Sequence, residues 1–236
     1  MAFVGRAGPF KTRGPFRAIR APFRGIGAWG RYPARTNSVR NSIGAAAVAG
    51  APGTLPTNWV AATPIDGLSR SVVGSGTDPV TGFAYVDLNW AGTSGTAGNS
   101  TVWAPEAGNF IAAVVGQAWA ASCYVSLVGG SLTNVTTLNF SIRFNNSGGS
   151  QVTAASTSIL GISSSGLRPG VALTAADATT AYVNCSIVAN FANSSAVDFT
   201  LRIVGPQIER GSSITSHIAT SGSAASRVAD LLVTVS

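Results

Sequence analysis

The feature that most constrains the fold is an alternation of apolar and polar residues that recurs along the chain. In residues 138–145, LNFSIRFN, every second residue is apolar, and the same period recurs in 82–90, 183–190 and 197–203. Successive side chains of a strand point to opposite faces, so each segment predicts a strand with one buried face. Loops rich in Gly, Ser and Asn separate the segments. The pattern predicts an all-β protein made of two packed antiparallel sheets.

Charge divides the chain into two parts. Residues 1–40 contain nine of the fifteen Lys and Arg residues and no acid, whereas the remainder contains six Arg against eight Asp and Glu. The net charge of +7 therefore belongs to the N-terminal segment, and the rest is close to neutral. Such asymmetry is typical of an interaction tail joined to a folded body. We predict an extended basic arm at 1–40 and one β-sandwich at 41–236.

The arm repeats a unit of proline, phenylalanine and a cation, at 9–11, 15–17 and 22–24. Proline restricts the extended chain, phenylalanine fills a pocket, and arginine pairs with carboxylates through two parallel hydrogen bonds. This combination favours anchoring to another protein through Phe10, Lys11, Arg13, Phe16, Arg17, Arg20, Phe23 and Arg24. Two alternatives remain for the arm, namely nucleic-acid binding through phosphate contacts and stacking, and a disordered tail that aids solubility.

The inventory of reactive residues argues against several kinds of chemistry. Cys123 and Cys185 lie far apart, and His217 is the only histidine, so a zinc site is not expected. The two cysteines form either buried thiols or a disulfide across the sandwich. No calcium loop, cofactor motif or targeting signal is found, and no stretch approaches the ~20 apolar residues of a membrane span. The eight scattered acids show no spacing typical of a glycosidase, so we expect no enzyme activity.

The C-terminal region carries a recognisable series of motifs. GPQIERG at 205–211 precedes TSHI at 215–218, TSGSA at 220–224 and RVAD at 227–230. This series resembles the ending of jelly-roll, carbohydrate-binding-module-like domains in the tail fibres, spikes and related virion proteins of tailed phages. The likeness extends upstream to about residue 35. His217 stands where that family has Tyr.

Two groups of candidate residues follow from these motifs and from the strand pattern. Glu209, Arg227 and Asp230 are expected to form a salt-bridged clasp that fixes the last strand. Glycan binding requires exposed aromatic rings, for which the candidates are Trp103 in a loop and Tyr85 and Tyr182 on polar strand faces. An interface between subunits is an equally good use for such rings.

The resemblance implies a phage virion protein that the arm anchors to capsid or tail proteins. The jelly-roll-like sandwich would then project as a fibre, spike or decoration and contact a host surface glycan. Association as a homotrimer is a further expectation from the resemblance. The alternatives are a capsid cement protein without a ligand and the carbohydrate-binding module of a secreted protein.

Overall fold

The computed structural model describes residues 34–95 and 100–228, in which all regular secondary structure is β-strand. The strands are β1 (Arg35–Asn37), β2 (Leu68–Thr77), β3 (Ala84–Thr93), β4 (Ser100–Trp103), β5 (Ile111–Ala112), β6 (Ala118–Ser131), β7 (Val135–Asn146), β8 (Gln151–Ser158), β9 (Gly170–Thr174), β10 (Thr180–Phe191), β11 (Ala196–Arg210) and β12 (Ala225–Arg227). Among these residues, no helix is long and apolar enough to cross a membrane.

The strands form two five-stranded sheets and a short two-stranded ribbon. Sheet I has the order β2-β3-β11-β6-β9, and sheet II has the order β4-β10-β7-β8, with β5 also paired to β10. The ribbon joins β1 to β12. All pairings between these strands are antiparallel. The predicted antiparallel β-sandwich is therefore confirmed.

The core lies between the two sheets and consists of their inward-facing side chains. Trp90 of β3 stacks on Phe199 of β11, with ring centroids 5.4 Å apart. Phe191 of β10 lies 6.4 Å from Phe199 and so joins sheet II to sheet I. All three rings are at most 1% exposed. Burial of each such side chain stabilises the fold by ~1.5–3 kcal/mol.

The two cysteines are free thiols within this core. Cys123 of β6 and Cys185 of β10 are both fully buried. Burial raises the pKa of Cys123 to about 12, although the charge of Arg168 acts in the opposite direction. Burial also raises the pKa of Cys185, and the neighbouring Cys123 adds to this effect. Of the two sequence alternatives, the structure shows buried thiols.

The folded body begins before residue 41, so the predicted boundary is wrong by several residues. Asn37 in β1 is fully buried. Its amide nitrogen donates to the carbonyls of Pro206 (3.1 Å) and Ile218 (2.9 Å). Its side-chain oxygen accepts from the backbone N–H groups of Val39 (3.1 Å) and Ile208 (3.2 Å). The side chain thus ties β1 to β11 and to the segment that follows it.

Arg40 also belongs to the body, although its charge assigned it to the arm. Its backbone N–H lies 2.6 Å from Glu106 Oε1, and its Nη2 lies 2.8 Å from Oε2 of the same buried carboxylate. The guanidinium carbon is 3.3 Å from the centroid of the Phe110 ring. Counting charge along the sequence could not separate this structural arginine from those further upstream. The eight predicted anchoring residues, Phe10 to Arg24, lie outside the described residues.

Candidate functional site

A groove with a volume of about 660 Å³ lies on the outer face of sheet I. Its floor is formed by outward side chains of β6 and β11, including Tyr124 and Arg202. The turn 78–83 between β2 and β3 forms one wall, and the loop 164–168 before β9 forms the other. Alternation along β6 places Tyr124 outward because Cys123 and Val125 point into the core. We call this feature the sheet I groove.

Two aromatic rings line the groove. Phe83 is 36% exposed, and its ring centroid lies 6.2 Å from that of Tyr124 at an angle of 46°. Behind Phe83, the His217 ring lies 4.8 Å away. The two rings therefore lie next to each other among the polar groups that line the groove.

Arg202 is held rigidly beside these rings. Its Nε and Nη2 each lie 2.9 Å from an oxygen of Asp87, and its Nη1 lies 3.3 Å from Asp78 Oδ2. The guanidinium carbon is 3.6 Å from the centroid of Tyr85. Hydrogen bonds to Asp87 raise the pKa of Arg202, although burial opposes this shift. The guanidinium is thus a fixed, permanently charged part of the groove floor.

Asp78 fixes the turn that forms the first wall. Its Oδ1 accepts hydrogen bonds from the backbone N–H of Val80 (3.1 Å) and of Thr81 (2.9 Å) and from the Thr81 hydroxyl (3.0 Å). Burial acts to raise the pKa of Asp78, but hydrogen bonds from Thr81, Arg202 and Val80 outweigh burial and lower it. The carboxylate is therefore ionised and structurally engaged at neutral pH.

Arg168 forms part of the opposite wall and connects it to the C-terminal region. Its Nη2 donates to Ser122 Oγ at 3.0 Å and to the Thr215 carbonyl at 2.6 Å. Its guanidinium carbon lies 5.1 Å from the centroid of Tyr124. Both contacts hold the side chain over β6. The groove is therefore lined by two arginines, Arg202 and Arg168.

His217 supports the groove from behind. Its Nε2 lies 3.1 Å from Ser42 Oγ, and burial, assisted by the charge of Arg168, lowers its pKa to about 4. Gly205 in β11 has a φ of +56°, and a Cβ there would lie 3.0 Å from the His217 ring. A glycine at this position is what allows the imidazole to pack so closely. The histidine is thus a neutral packing residue at physiological pH.

The structure does not bring the three predicted glycan-binding residues together. Trp103 is fully buried in β4, with its ring 5.2 Å from that of Trp59, so its prediction as an exposed loop residue is wrong. Tyr85 lies beneath Arg202 next to the groove. Tyr182 belongs to β10, in the other sheet.

Sequence reasoning missed the groove residues Phe83 and Tyr124. The signal that could have found Tyr124 is the alternation of β6, in which it stands between two core residues. Phe83 precedes β3 and shares the outward phase of Tyr85.

Of the residues predicted to form a clasp, Glu209 takes part in a buried ion pair. Glu209 is fully buried and accepts hydrogen bonds from the Thr215 backbone N–H and hydroxyl, each at 2.7 Å, and from Gln207 at 2.8 Å. Its ion-pair partner is Arg35, at 3.5 Å. Arg227 lies in β12 and donates to the hydroxyl of Ser216. Asp230 lies outside the described residues.

The arrangement of donor groups does not indicate a metal centre in the part of the chain that the structure describes. No cluster of three or more His, Cys, Asp or Glu side chains suited to a metal occurs among residues 34–95 and 100–228. The acids that flank the groove bind Arg202 instead.

Comparison with known proteins gives likeness in structure but not in sequence. No protein-family profile and no curated protein matches the chain. An arabinose-bound α-L-arabinofuranosidase matches with a TM-score of 0.51 and 14% identity, over 78% of this chain and 27% of that chain. Carbohydrate-binding modules of the β-sandwich superfamily match with a TM-score of 0.41 and 13% identity, over 64% of this chain and 56% of theirs.

A phage protein is also among the matching structures. The enzymatically active domain of tailspike protein 4 from bacteriophage CBA120 has a TM-score of 0.38 and 14% identity, over 66% of this chain and 20% of that chain. At such identities the likeness concerns the fold alone. The chain spans about a quarter of the arabinofuranosidase, as the 27% coverage shows. What is established is an antiparallel β-sandwich with a groove on the outer face of sheet I.

Proposed function

We propose that the sandwich binds a surface glycan in the sheet I groove. The observation that carries this proposal is the pairing of partly exposed rings, Phe83 and Tyr124, with two oriented arginines in a cavity of about 660 Å³. Aromatic rings stack on the apolar faces of sugars, while fixed polar groups select hydroxyl or acidic substituents. Because Asp78 and Asp87 already orient Arg202, little ordering is needed on binding.

A binding role fits the groove better than glycoside hydrolysis. Hydrolysis requires one carboxyl group whose pKa is raised, so that it can protonate the leaving group. In the groove, hydrogen bonds from Thr81, Arg202 and Val80 outweigh burial and lower the pKa of Asp78. Asp87 is engaged by two nitrogens of Arg202. We therefore propose a protein that binds its ligand without transforming it.

We further propose that the chain is a structural protein of a phage virion. The C-terminal motifs resemble those of tail-fibre and spike domains, and the N-terminal segment combines nine cations with no acid over residues 1–40. In this proposal the basic arm anchors the protein to capsid or tail proteins, and a homotrimer of sandwiches projects outward. A capsid cement protein without a ligand and a secreted carbohydrate-binding module are the competing assignments.

The glycan proposal is tested on an array of bacterial surface polysaccharides with the full chain. We expect one ligand class to bind, and Phe83→Ala and Tyr124→Ala each to weaken binding at least about tenfold, which is ~1.4 kcal/mol. Tyr182→Ala is the matched control, because this tyrosine lies in sheet II, and it should bind as the unmodified chain does. Equal binding by all three variants would contradict the groove assignment. Absence of any ligand would favour the cement protein.

The anchoring proposal is tested separately by deleting residues 1–33. The described body begins at residue 34, and β1 remains intact in this variant. We expect the deleted protein to keep its melting temperature and its glycan ligand, yet to lose incorporation into particles. Incorporation at full occupancy would show that the arm is not the anchor. Tight binding of the arm to DNA, without binding to capsid or tail protein, would support the nucleic-acid alternative.

A further inference from the structure

A second cavity, of about 340 Å³, lies on the outer face of sheet II. It is lined by outward side chains of β4, β7, β8 and β10, which are mostly hydroxyls and amides. One cation, Arg143 of β7, lies among them, and no aromatic ring lines the cavity. We call this feature the sheet II recess. It belongs to a different sheet from the groove described above, and none of its lining residues is shared with that groove.

Arg143 lacks the carboxylate partner that three other arginines of the body have. Arg35, Arg40 and Arg202 each form an ion pair with a carboxylate. No carboxylate in the described ranges pairs with Arg143. Its Nε is buried without a hydrogen-bond partner, and its Nη1 reaches the Thr101 hydroxyl only at 3.5 Å. Because a buried donor without a partner costs free energy, this guanidinium is suited to an external acceptor.

A second polar group in the recess is also without a partner. Ser186 of β10 is fully buried, and its hydroxyl has no hydrogen-bond partner. It lies opposite Ser141 of β7, and Ser141 lies opposite Ser156 of β8. Neighbouring strands are ~4.8 Å apart, so these three serines form a row of hydroxyls about 10 Å long across the sheet.

On the β8 side, the residues next to Arg143 have small side chains. Arg143 lies opposite Ala154 of β8. On β10 it lies opposite Asn184. Of the two neighbouring rows on this face, one consists of the three serines, and the other contains Asn145 and Tyr182. A flat acceptor can therefore approach the guanidinium from the side of Ala154 and contact Ser156, the exposed end of the serine row. Burial lowers the pKa of Arg143, with the nearby Cys185 acting in the opposite direction. A bound anion would stabilise the charged guanidinium.

We propose that the sheet II recess is a second binding site, which takes the carboxylate of an acidic sugar such as a uronic acid residue of a polysaccharide. Arg143 pairs with the carboxylate, and Ser156, at the exposed end of the serine row, binds a ring hydroxyl. One guanidinium matches one carboxylate in charge and in its two-pronged geometry. A nucleotide base would require an aromatic platform, which the recess lacks. The proposal stands independently of any ligand in the sheet I groove.

The test uses trigalacturonate and the full chain, at ~0.15 M salt to screen the basic arm. Calorimetry gives the affinity, and the Nε–Hε resonance of Arg143 reports contact at the recess. We expect this resonance to shift on titration, and Arg143→Gln to weaken binding at least about tenfold. Arg17→Gln removes the same charge from the arm and is the matched control, which should bind trigalacturonate as the unmodified chain does.

Two variants that change side-chain size without changing charge test the site independently of Arg143. Ala154→Leu should fill the recess while leaving the guanidinium in place, and it should weaken binding by a similar factor. Ser158→Leu changes an exposed residue of the same strand that does not line the recess, and it should have no effect. Tyr124→Ala should also leave trigalacturonate binding unchanged, which distinguishes failure of this site from failure of the groove.

Several outcomes would overturn the proposal. Equal affinities for Arg143→Gln and Arg17→Gln would place the binding elsewhere, as would an unshifted Arg143 resonance or the absence of binding by the unmodified chain. Equal affinity for the methyl ester of trigalacturonate would show that the carboxylate is not recognised. Tighter binding of inorganic sulfate or phosphate would replace the sugar-acid assignment with a simple anion site.

Discussion

The outer faces of the two sheets differ in how they use arginine. On sheet I, Arg202 pairs with Asp78 and Asp87 and packs on Tyr85. On sheet II, Arg143 lies among hydroxyls and amides without an ion pair in the described residues. Both residues occupy outward positions of long central strands, so the fold does not cause the difference. Neighbouring side chains decide whether a charge holds the protein together or remains available for a ligand.

The largest expected effect is on stability, from Arg202→Ala. This change leaves Asp78 and Asp87, which are 6% and 8% exposed, without their shared cation. Loss of one partner of a largely buried ion pair destabilises a protein by about 3 kcal/mol. Urea denaturation measures the free energy of unfolding. Arg202→Lys keeps the charge but not the bidentate geometry. Its free energy of unfolding should therefore lie between those of the unmodified chain and of Arg202→Ala. A loss below about 1 kcal/mol would show that the sheet I pairs are not structural.

The next effect concerns the loop 164–168, which forms one wall of the groove. Gly166 has a φ of +68°, and a Cβ there would lie 2.9 Å from the Val125 carbonyl oxygen. Gly166→Ala should therefore destabilise the protein by about 2 kcal/mol and weaken any ligand of the groove. Gly161→Ala is the matched control, because a Cβ at that position meets nothing within 4 Å. Thermal denaturation compares the two variants, and equal melting temperatures would contradict the expected strain.

The third effect is a pH dependence of stability that arises from His217, next to the sheet I groove. The pKa of His217 is lowered from 6.5 to about 4 in the folded protein, so the unfolded chain binds more protons between these values. Stability is therefore fully present above pH 6.5 and falls as the pH decreases towards 4. The expected loss is about 1–2 kcal/mol, since solvent screens the partly exposed ring.

The histidine prediction is checked by urea denaturation at several pH values. His217→Gln removes the titrating group, so this variant should lose the slope between pH 6.5 and 4, even if its overall stability is lower. An unchanged slope would assign the pH dependence in this window to groups other than His217. The Asp78 carboxyl, whose pKa is lowered from 3.8, would act only at lower pH.

The smallest effect is expected on sheet II. Arg143→Gln removes a charge that forms no ion pair in the described residues, so the free energy of unfolding should change by less than about 0.5 kcal/mol. The same urea experiment that is used for Arg202→Ala measures it. A loss comparable to that of Arg202→Ala would remove the distinction between the two faces. Such a loss would show that Arg143 has a structural role in sheet II and is not kept unpaired for ligand binding.

Local patterns predicted the strands well, because a strand with one buried face shows a regular alternation of apolar and polar residues in its own sequence. Residues 138–145 lie within β7, and their apolar members are all buried. The same reasoning failed for Trp103, whose neighbours suggest a loop. Pairing of β4 with β10 and contact with Trp59 bury this ring. Neither partner is close to Trp103 in the sequence.

The candidate site was less predictable, because it joins segments that are distant in the sequence. The groove combines a turn at 78–83, two central strands and a loop at 164–168. Tyr85 was correctly taken as outward, but its cation partner Arg202 comes from another strand. Likewise, Glu209 was correctly taken as part of a salt bridge, whereas its partner Arg35 was counted with the arm. Charges near each other in sequence were favoured over charges near each other in space.

The hydrogen bonds of Asn37 have a mechanical consequence. A pulling force applied at residue 34 would first load β1, which pairs with β12 through only three residue pairs. Asn37 transfers that tension further, because it is bonded to Pro206 and Ile208 in β11. β11 lies between β3 and β6 in sheet I and carries Arg202. Tension from the N-terminal side would thus be borne by a central strand, and would reach the strand that forms the groove floor.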